Sequence, residues 1–132
     1  MIEVAAAIIE NEKGQILIAR RGPGKSLAGM WEFPGGKLEP GESPEACLKR
    51  ELQEEMRIAI EPYERFAVNE HDYGTVRIRL IAYRAAFVGG AVTLVDHDEY
   101  RWAEPSELHE YRWAPADVPI VERLRQVLQA PE

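Results

Sequence analysis

At 132 residues the chain has the length of one domain with a buried core, and we interpret residues 1–132 as a single domain. Its net charge of −7 argues against binding to a nucleic-acid polymer, which usually requires a basic face, but is compatible with a small phosphorylated ligand accompanied by cations. The single cysteine, Cys47, excludes an intramolecular disulfide and a cysteine zinc cluster. The N-terminal apolar run is too short for a membrane span and lacks a basic leader, so we expect a cytoplasmic protein without a membrane contact.

The first third of the chain predicts a β-hairpin, a loop and a short extended segment. Apolar runs at 3–10 and 15–19 flank the sequence Asn-Glu-Lys-Gly, which is typical of a hairpin turn. Residues 20–30 are rich in glycine and lack periodicity, so we predict a loop, which carries three basic side chains. Residues 31–33 predict a short strand that ends at a proline and a Gly-Gly turn, where the missing Cβ atoms leave room for a ligand.

A helix is predicted from Pro44 to about Met56. Ser43 is a suitable N-cap, Pro44 suits the first helical position, and Glu45 favours the positive end of the helix dipole. Apolar residues recur at helical spacing along one side, so this face should pack on a core.

Three carboxylates share the flank of that helix beside the apolar stripe. At about 100° of rotation per residue, Glu51, Glu54 and Glu55 fall within an arc of roughly 100°. Their mutual repulsion would be relieved by a hard divalent cation such as Mg²⁺ or Mn²⁺, which binds oxygen ligands and bridges to phosphates. The alternative is a solvated charged helix face in which Arg50 pairs with Glu54.

The second half of the chain predicts a longer hairpin followed by short strands. Residues 63–73 and 75–87 are β-rich and meet at an Asp-Tyr-Gly turn. A short strand is predicted at 91–95, and a polar run at 96–99 precedes another strand at 100–102.

Two further helices complete the predicted architecture. Residues 105–110 fit a short helix, and 117–128 show helical spacing typical of a C-terminal helix. Hairpins with one central and one terminal helix predict an α+β domain, in which helices pack on a mixed sheet.

A fixed spacing around the central helix carries the strongest functional signal. The segment fits the pattern G-x5-E-x7-R-E-U-x-E-E-x-G-U, where U is a bulky aliphatic residue, at eight of its nine fixed positions. The fit starts at Gly36, continues through Glu42 and Arg50, and ends at Ile58. This pattern resembles the signature of the Nudix hydrolases. The departure is Arg57, where the family has a glycine that ends the helix in a left-handed conformation, at a cost on the order of 1 kcal/mol for another residue.

The resemblance covers nearly the whole chain and is closest to the MutT-type branch. The sequences WEFPGGK, DHDEYRW and WAPADVPIVERL also look like this branch. The fold it implies is an α/β/α sandwich, with a mixed sheet between a catalytic loop-helix-loop and a C-terminal helix.

The resemblance also implies a metal site for Mg²⁺, with Mn²⁺ as a substitute. Its ligands would be Glu51, Glu54, Glu55 and the carbonyl of Gly36, with a further acidic residue from a later loop, for which Asp96 is the best match. The shorter Asp stands there in place of the family's Glu, and Glu99 is the substitute candidate.

The remaining catalytic roles follow from the same resemblance. Arg50 would orient the glutamates, with Glu42 in a supporting role. The general base is expected among Glu51, Glu54 and Asp96.

Substrate contacts are predicted at four positions. The resemblance assigns Arg21 to a phosphate, with Lys37 assisting, and Asp117 to the edge of the base. An ionised Asp117 only accepts hydrogen bonds, so it suits the N1 and N2 protons of guanine or the N4 protons of cytosine. Its alternative role is the N-cap of the C-terminal helix. Phe33 could flank the base, although core packing is the commoner fate of such aromatics.

The sequence therefore predicts a Mg²⁺-dependent nucleoside triphosphate pyrophosphohydrolase, acting as a monomer or homodimer. Attack on the β-phosphorus would release a nucleoside monophosphate and pyrophosphate. The first candidate substrate is 8-oxo-dGTP, and the second is (d)CTP or a modified cytidine triphosphate. A catalytically silent nucleotide-binding module is the alternative from another class, and a sugar-linked diphosphate such as ADP-ribose is a third possibility. The three histidines, His71, His97 and His109, lack ligand spacing and are interpreted as surface or loop residues.

Overall fold

The computed structural model describes residues 1–128 and contains a seven-stranded mixed sheet with a helix on each face. The strands, in chain order, are β1 (Ile2–Glu10), β2 (Ile16–Arg21), β3 (Trp31–Glu32), β4 (Gly35–Lys37), β5 (Ala59–Asp72), β6 (Arg77–Gly89) and β7 (His97–Ala103). The helices are α1 (Pro44–Met56) and α2 (Val118–Leu128), with short 3-10 helices at Pro105–Glu110 and Pro115–Asp117. The predicted α+β sandwich is confirmed.

Strand β1 lies at the centre of this sheet. It pairs in parallel with β6, from Ile2 opposite Ile78 onwards, and antiparallel with β4. Its apolar run is continuous because both faces are buried: Ile8 packs in the core under α2, and Ile9 packs in the core under α1.

The first predicted hairpin is confirmed, although its strands separate at once. Only Glu10 and Ile16 are paired between β1 and β2, whereas β2 pairs with β7 along its whole length. The predicted bounds near this ladder were wrong at two places. Arg20 and Arg21 belong to β2 rather than to the loop, and β7 already starts at His97, inside the polar run. Both extensions follow from the β2–β7 ladder, in which Arg20 pairs with Glu99 and Arg21 with His97. An ion pair of 2.7 Å between Arg20 Nε and Asp98 Oδ1 supports this part of the ladder.

The Gly-Gly pair does not form the predicted turn. Gly35 and Gly36 lie in β4, opposite Ala6 and Ala5 of β1. A Cβ on Gly35 would stand 1.9 Å from the Ala5 carbonyl oxygen, so glycine is required here by close strand packing.

The predicted strand at 91–95 is also absent from the described chain. Gly90, at φ +104°, directly follows β6, and the next residues run across the end of α1. The Thr93 amide donates to the carbonyl of Met56, 3.0 Å away, which satisfies a helix-end acceptor. A sheet partner is therefore unnecessary for this segment, and its apolar Val92 and Leu94 pack against the α1 core instead.

Helix α1 has the predicted bounds and cap. Ser43 Oγ accepts a hydrogen bond from the Ala46 amide at 3.1 Å. At the other end Arg57 adopts the left-handed conformation, with φ 58° and ψ 35°, that the family pattern assigns to glycine. The helix therefore ends where the pattern predicts, in spite of the substitution.

The second hairpin and the later helices are confirmed with small shifts. Strands β5 and β6 pair antiparallel as far as Asp72 opposite Arg77. Residues 105–110 form a 3-10 helix, and α2 begins at Val118, one residue later than predicted. None of the helices within residues 1–128 is long and apolar enough to span a membrane.

Candidate active site

Strand β4 places Gly36, which has no side chain, directly against the Glu51 carboxylate of α1. A Cβ built on Gly36 would lie 2.3 Å from the carboxyl carbon of Glu51. The glycine therefore lets the Glu51 carboxylate approach the strand directly. Cys47 packs beneath it with Sγ 3.5 Å from the Gly36 carbonyl oxygen, and burial raises the pKa of this thiol to about 12. Cys47 is thus a neutral packing residue.

The three predicted carboxylates of α1 have different surroundings. Glu51 and Glu55 line a cleft in the surface, whereas the Glu54 side chain is 60% exposed and pairs with Arg50. Glu55 Oε2 is buried and has no hydrogen-bond partner among residues 1–128. Burial, with the neighbouring charge of Glu51 as the second cause, raises the pKa of Glu55 to about 8.

Arg50 connects the helix to the loop that precedes it. Its guanidinium binds Glu42 through two hydrogen bonds, of 2.8 Å from Nε and 2.9 Å from Nη2. Nη1 donates to Glu51 at 2.9 Å and to Glu54 at 3.3 Å. The hydrogen bonds from Arg50 lower the pKa of Glu42 to about 2. This bidentate contact fixes the guanidinium, which in turn holds the Glu51 carboxylate.

The two candidates for the later acidic residue differ in position. Asp96 lines the cleft, with Oδ1 3.4 Å from Lys25 Nζ, and its charge contributes to the raised pKa of Glu55. Glu99 instead pairs with Arg20 and Arg101. The structure thus brings Asp96 close to the α1 carboxylates and engages Glu99 elsewhere.

The carboxylate end of the cleft suits a hard divalent cation. Glu51 and Glu55 offer oxygen donors, and the buried Glu55 Oε2 is an acceptor that a cation would satisfy. Within residues 1–128, no three Asp, Glu, His or Cys side chains already stand together as a complete ligand group. Ion binding would therefore require side-chain adjustment, for which the exposed Glu54 has room.

The whole cleft has a volume of about 750 Å³. Its other end contains a buried acid, Asp117. Asp117 is only 5% exposed, and its Oδ2 accepts a hydrogen bond of 3.1 Å from the Phe33 amide. Burial, reinforced by the charge of Glu32, raises the pKa of Asp117 well above its ordinary value. Phe33 itself lines the cleft and packs against Trp113, with ring centroids 4.8 Å apart, so it belongs to both the core and the cleft wall.

Two side chains of the second hairpin hold the backbone beside Asp117. The Ala116 amide donates to the hydroxyl of Tyr73 at 3.0 Å, and Asn69 Nδ2 donates to the Ala116 carbonyl at 3.0 Å. The N–H and C=O groups of Ala116 are thus both bound by side chains of β5 and the turn after it. These contacts fix the backbone that carries Asp117. Sequence reasoning missed Tyr73 and Asn69, because nothing in their local sequence indicates a contact with residue 116.

A family model with the description NUDIX domain matches residues 5–123. The chain belongs to the Nudix family. The CTP pyrophosphohydrolase of Escherichia coli (strain K12) is 41% identical over 122 residues, covering 92% of this chain and 90% of that protein. The 8-oxo-dGTP diphosphatase of Haemophilus influenzae is 39% identical over 127 residues, covering 94% and 91%. The crystal structure of a MutT protein from Methanosarcina mazei, at 27% identity, superposes with a TM-score of 0.86 over 97% of this chain and 95% of its own.

These comparisons confirm the predicted Nudix hydrolase and its MutT-like fold. Nudix hydrolases generally use divalent cations, which agrees with the donor set at the carboxylate end of the cleft. The roles assigned to individual residues stay predictions.

The middle of the Nudix cleft contains a polar group that the sequence did not predict. Arg21 and Lys37, both predicted to contact phosphates, line the cleft, as do Glu32 and His97. The interpretation of His97 as a surface or loop residue was wrong. His97 begins β7, its side chain is only 5% exposed, and Nε2 lies 2.8 Å from Glu32 Oε2. A single histidine without ligand spacing gives no signal in the sequence, and its partner becomes visible only when β3 and β7 are placed beside β2.

Proposed function

We propose that this Nudix hydrolase is a Mg²⁺-dependent nucleoside triphosphate pyrophosphohydrolase. The substrate and one water would give a nucleoside monophosphate and pyrophosphate by attack at the β-phosphorus. The observation that carries the proposal is one cleft with two unlike ends: the Glu51 and Glu55 carboxylates at one, and the buried Asp117 beside Phe33 at the other. Such a cleft matches a ligand with a polyphosphate and a polar ring.

The ion would be held by Glu51, Glu54 and Glu55, the Gly36 carbonyl and Asp96. A divalent cation supplies neutralisation of phosphate oxygens and a lowered pKa for an attacking water. Mn²⁺ should replace Mg²⁺, because both prefer oxygen ligands.

The protein's own groups would then orient the reactants. Arg50, fixed by Glu42, holds Glu51 in place. A carboxylate accepts the proton of the water, and Glu51, Glu54 and Asp96 are the candidates. Arg21 and Lys37 would bind phosphate oxygens.

The first candidate substrate is 8-oxo-dGTP, so that hydrolysis would remove a mutagenic nucleotide before it reaches DNA. The relative from Haemophilus influenzae carries that activity in its name. The second candidate is (d)CTP or a modified cytidine triphosphate, favoured by the E. coli relative named CTP pyrophosphohydrolase. Asp117 is compatible with both, because guanine and cytosine each present N–H donors that an oxygen of its carboxyl group can accept.

The deciding experiment is a panel of nucleoside triphosphates, nucleoside diphosphates and ADP-ribose with Mg²⁺, in which pyrophosphate and phosphate are measured separately. We expect pyrophosphate from the triphosphates and no activity after treatment with a chelator. A preference for 8-oxo-dGTP over CTP of at least about tenfold in kcat/KM, or about 1.4 kcal/mol, would favour the first candidate. Binding of nucleotides without turnover of any of them would indicate a silent module and end the enzyme proposal.

Cytoplasmic location, a monomeric or dimeric state and a single domain over residues 1–132 belong to the same proposal. Size-exclusion chromatography with light scattering would test the oligomeric state.

A further inference from the structure

Three side chains from three strands form a continuous polar group in the wall of the cleft. Arg21 ends β2, Glu32 ends β3 and His97 begins β7. Arg21 Nη1 donates to Glu32 Oε1 at 3.0 Å, and His97 Nε2 lies 2.8 Å from Glu32 Oε2. A carboxylate only accepts hydrogen bonds, so His97 is the donor in this contact. We refer to these residues as the Arg21–Glu32–His97 triplet.

The Arg21 side chain is fixed on all three of its nitrogens. Besides the Glu32 contact, Nε donates to the Ser26 carbonyl and Nη2 donates to Ser26 Oγ at 3.1 Å. A guanidinium has five N–H donors, so these contacts leave one donor on each Nη free for a ligand. Because Arg21 lines the cleft, these two donors are available to a phosphate that binds there.

Glu32 places a negative charge in a cleft that should receive a polyanion. Its charge contributes to the raised pKa of Glu55 at one end of the cleft and of Asp117 at the other. Glu32 lines the cleft near both ends, where it would repel a phosphate unless both of its oxygens were engaged. Arg21 engages one oxygen and His97 the other.

The backbone is arranged to keep His97 in this position. His97 stands opposite Arg21 in the β2–β7 ladder, at the point where the register shifts. The residue after Arg21 is Gly22, and a Cβ on it would lie 2.8 Å from the Asp96 carbonyl oxygen. Glycine thus allows the strand end to approach β7 closely enough for the His97 ring to reach Glu32.

From these contacts we infer that His97 is a positioning residue for Arg21, acting through Glu32, in the binding of the substrate polyphosphate. The inference rests on the proposed function for the identity of the substrate. Without His97, one oxygen of Glu32 loses its donor, and the carboxylate can turn away from Arg21 or face the incoming phosphates. Phosphate binding weakens, while the α1 carboxylates that act on the water are unchanged.

The test compares His97→Leu, which removes the donor at similar volume, with His97→Gln, whose amide can still donate to Glu32. Hydrogen bonds to charged groups contribute about 1.5–3 kcal/mol, so His97→Leu should raise KM for the best triphosphate about tenfold or more. We expect kcat to change less than about twofold, and His97→Gln to restore most of the lost affinity. In an Arg21→Gln background, His97→Leu should have little further effect on KM, because the group it positions is gone.

Equal losses in kcat and KM, or a His97→Leu effect that persists undiminished in the Arg21→Gln background, would show a merely structural role and overturn the inference. Circular dichroism and thermal melting establish that each variant is folded. If His97→Leu does not fold, His97→Asn replaces it, because its shorter amide leaves the same contact unmade.

A second readout does not depend on activity. The Arg21 Nε–Hε signal in a ¹H–¹⁵N spectrum, assigned by its loss in Arg21→Gln, should be sharp in the wild type and in His97→Gln and broadened in His97→Leu. An unchanged signal in His97→Leu overturns the inference even when every variant is active. A wild type that hydrolyses no nucleotide defeats the proposed function alone, and the signal then decides whether His97 positions Arg21.

Discussion

Each end of the cleft contains a carboxyl group with a raised pKa, half-buried at Glu55 and buried at Asp117, but the surrounding structure differs. Glu55 lies beside Glu51, on one helix, in a network that Arg50 organises within a single stretch of sequence. Asp117 instead accepts the amide of Phe33 and is held by contacts from β5 and its turn. The first arrangement offers oxygen donors that suit a divalent cation, and the second offers a carboxyl oxygen that suits a hydrogen-bond donor. Under the proposed function, the carboxylate end would determine the reaction and the Asp117 end would determine the substrate.

The largest effect is expected from a substitution that alters only the carboxylate end of the cleft. Glu55→Gln should lower kcat/KM with Mg²⁺ by at least about 100-fold, because it removes a proposed ligand of the cation. The same change should raise the melting temperature of the chelator-treated protein, since it removes a buried carboxyl whose Oε2 has no partner among the described residues.

Glu54→Gln is the matched control for that experiment. It should also remove most turnover, but its side chain is 60% exposed, so the melting temperature without metal should not rise. A Glu55→Gln variant that melts at or below the wild-type temperature in chelator would contradict the view that Glu55 is strained without a cation.

The next effect concerns the residue that organises the carboxylate end. Arg50→Lys cannot reproduce the bidentate contact with Glu42, so we expect a loss of about 10–100-fold in activity at limiting Mg²⁺. Titration of activity against Mg²⁺ should show a higher half-saturating concentration. Lys49→Ala is the control, because the pair between Lys49 and Glu61 is exposed and should contribute little. Equal Mg²⁺ dependence in Arg50→Lys and wild type would refute the orienting role.

At the other end, Asp117→Asn should change the choice of base rather than the chemistry. An amide both donates and accepts, so the ratio of kcat/KM between 8-oxo-dGTP and CTP should shift by about tenfold. Tyr73→Phe, which removes the acceptor of the Ala116 amide, should shift the ratio in the same assay by less. A ratio unchanged in both variants would separate Asp117 from substrate selection.

The raised pKa of Asp117 also predicts a pH dependence of stability. Above pH 3.8, the ordinary pKa of an aspartate, Asp117 loses its proton more readily in the unfolded chain than in the folded protein. The folded state then binds more protons, so the contribution of Asp117 to the free energy of unfolding falls as the pH rises. Urea unfolding should therefore show Asp117→Asn gaining stability relative to the wild type between pH 5 and pH 8. A constant difference across that range would exclude the shifted pKa.

The smallest effect should leave both ends of the cleft unchanged. Arg57→Gly relieves the left-handed conformation at the end of α1 and should stabilise the protein by about 1 kcal/mol in urea unfolding, with unchanged kinetics. Arg57→Ala should give no such gain, because alanine carries the same steric cost. A loss of activity in Arg57→Gly would show that this helix end affects the site.

The difference between the carboxylate end and the Asp117 end also explains which features could be predicted from the sequence. Helix α1, its Ser43 cap and the spacing of Gly36, Glu42 and Arg50 depend on neighbours within one segment, and periodicity and local hydrogen bonding report them directly. The Asp117 end was predicted only in part, since the residues that support it come from separate strands and are brought together by the sheet.

The wrong predictions have a similar cause. The residues at 91–95 have strand-like composition, but the Thr93 amide donates to the carbonyl of Met56 at the end of α1 rather than to a strand edge. The Gly35–Gly36 pair resembles a turn, although the glycines are needed for close contact with β1 and with Glu51. His97 could not be placed without the β2–β7 register. In each case the decisive partner lies far away along the chain.

The parallel pairing of β1 with β6 also has a kinetic consequence. Ile2 lies opposite Ile78, so β1, which supports β4 and Gly36, pairs with a strand that is far away along the chain. Long-range contacts of this kind close slowly, because the loop entropy is lost before the contact energy is gained. Helix α1 can form early from local interactions, but the contact between its Glu51 carboxylate and Gly36 forms late, because β4 depends on β1. We therefore expect catalytic competence to appear in the last phase of refolding, after helical circular dichroism has recovered.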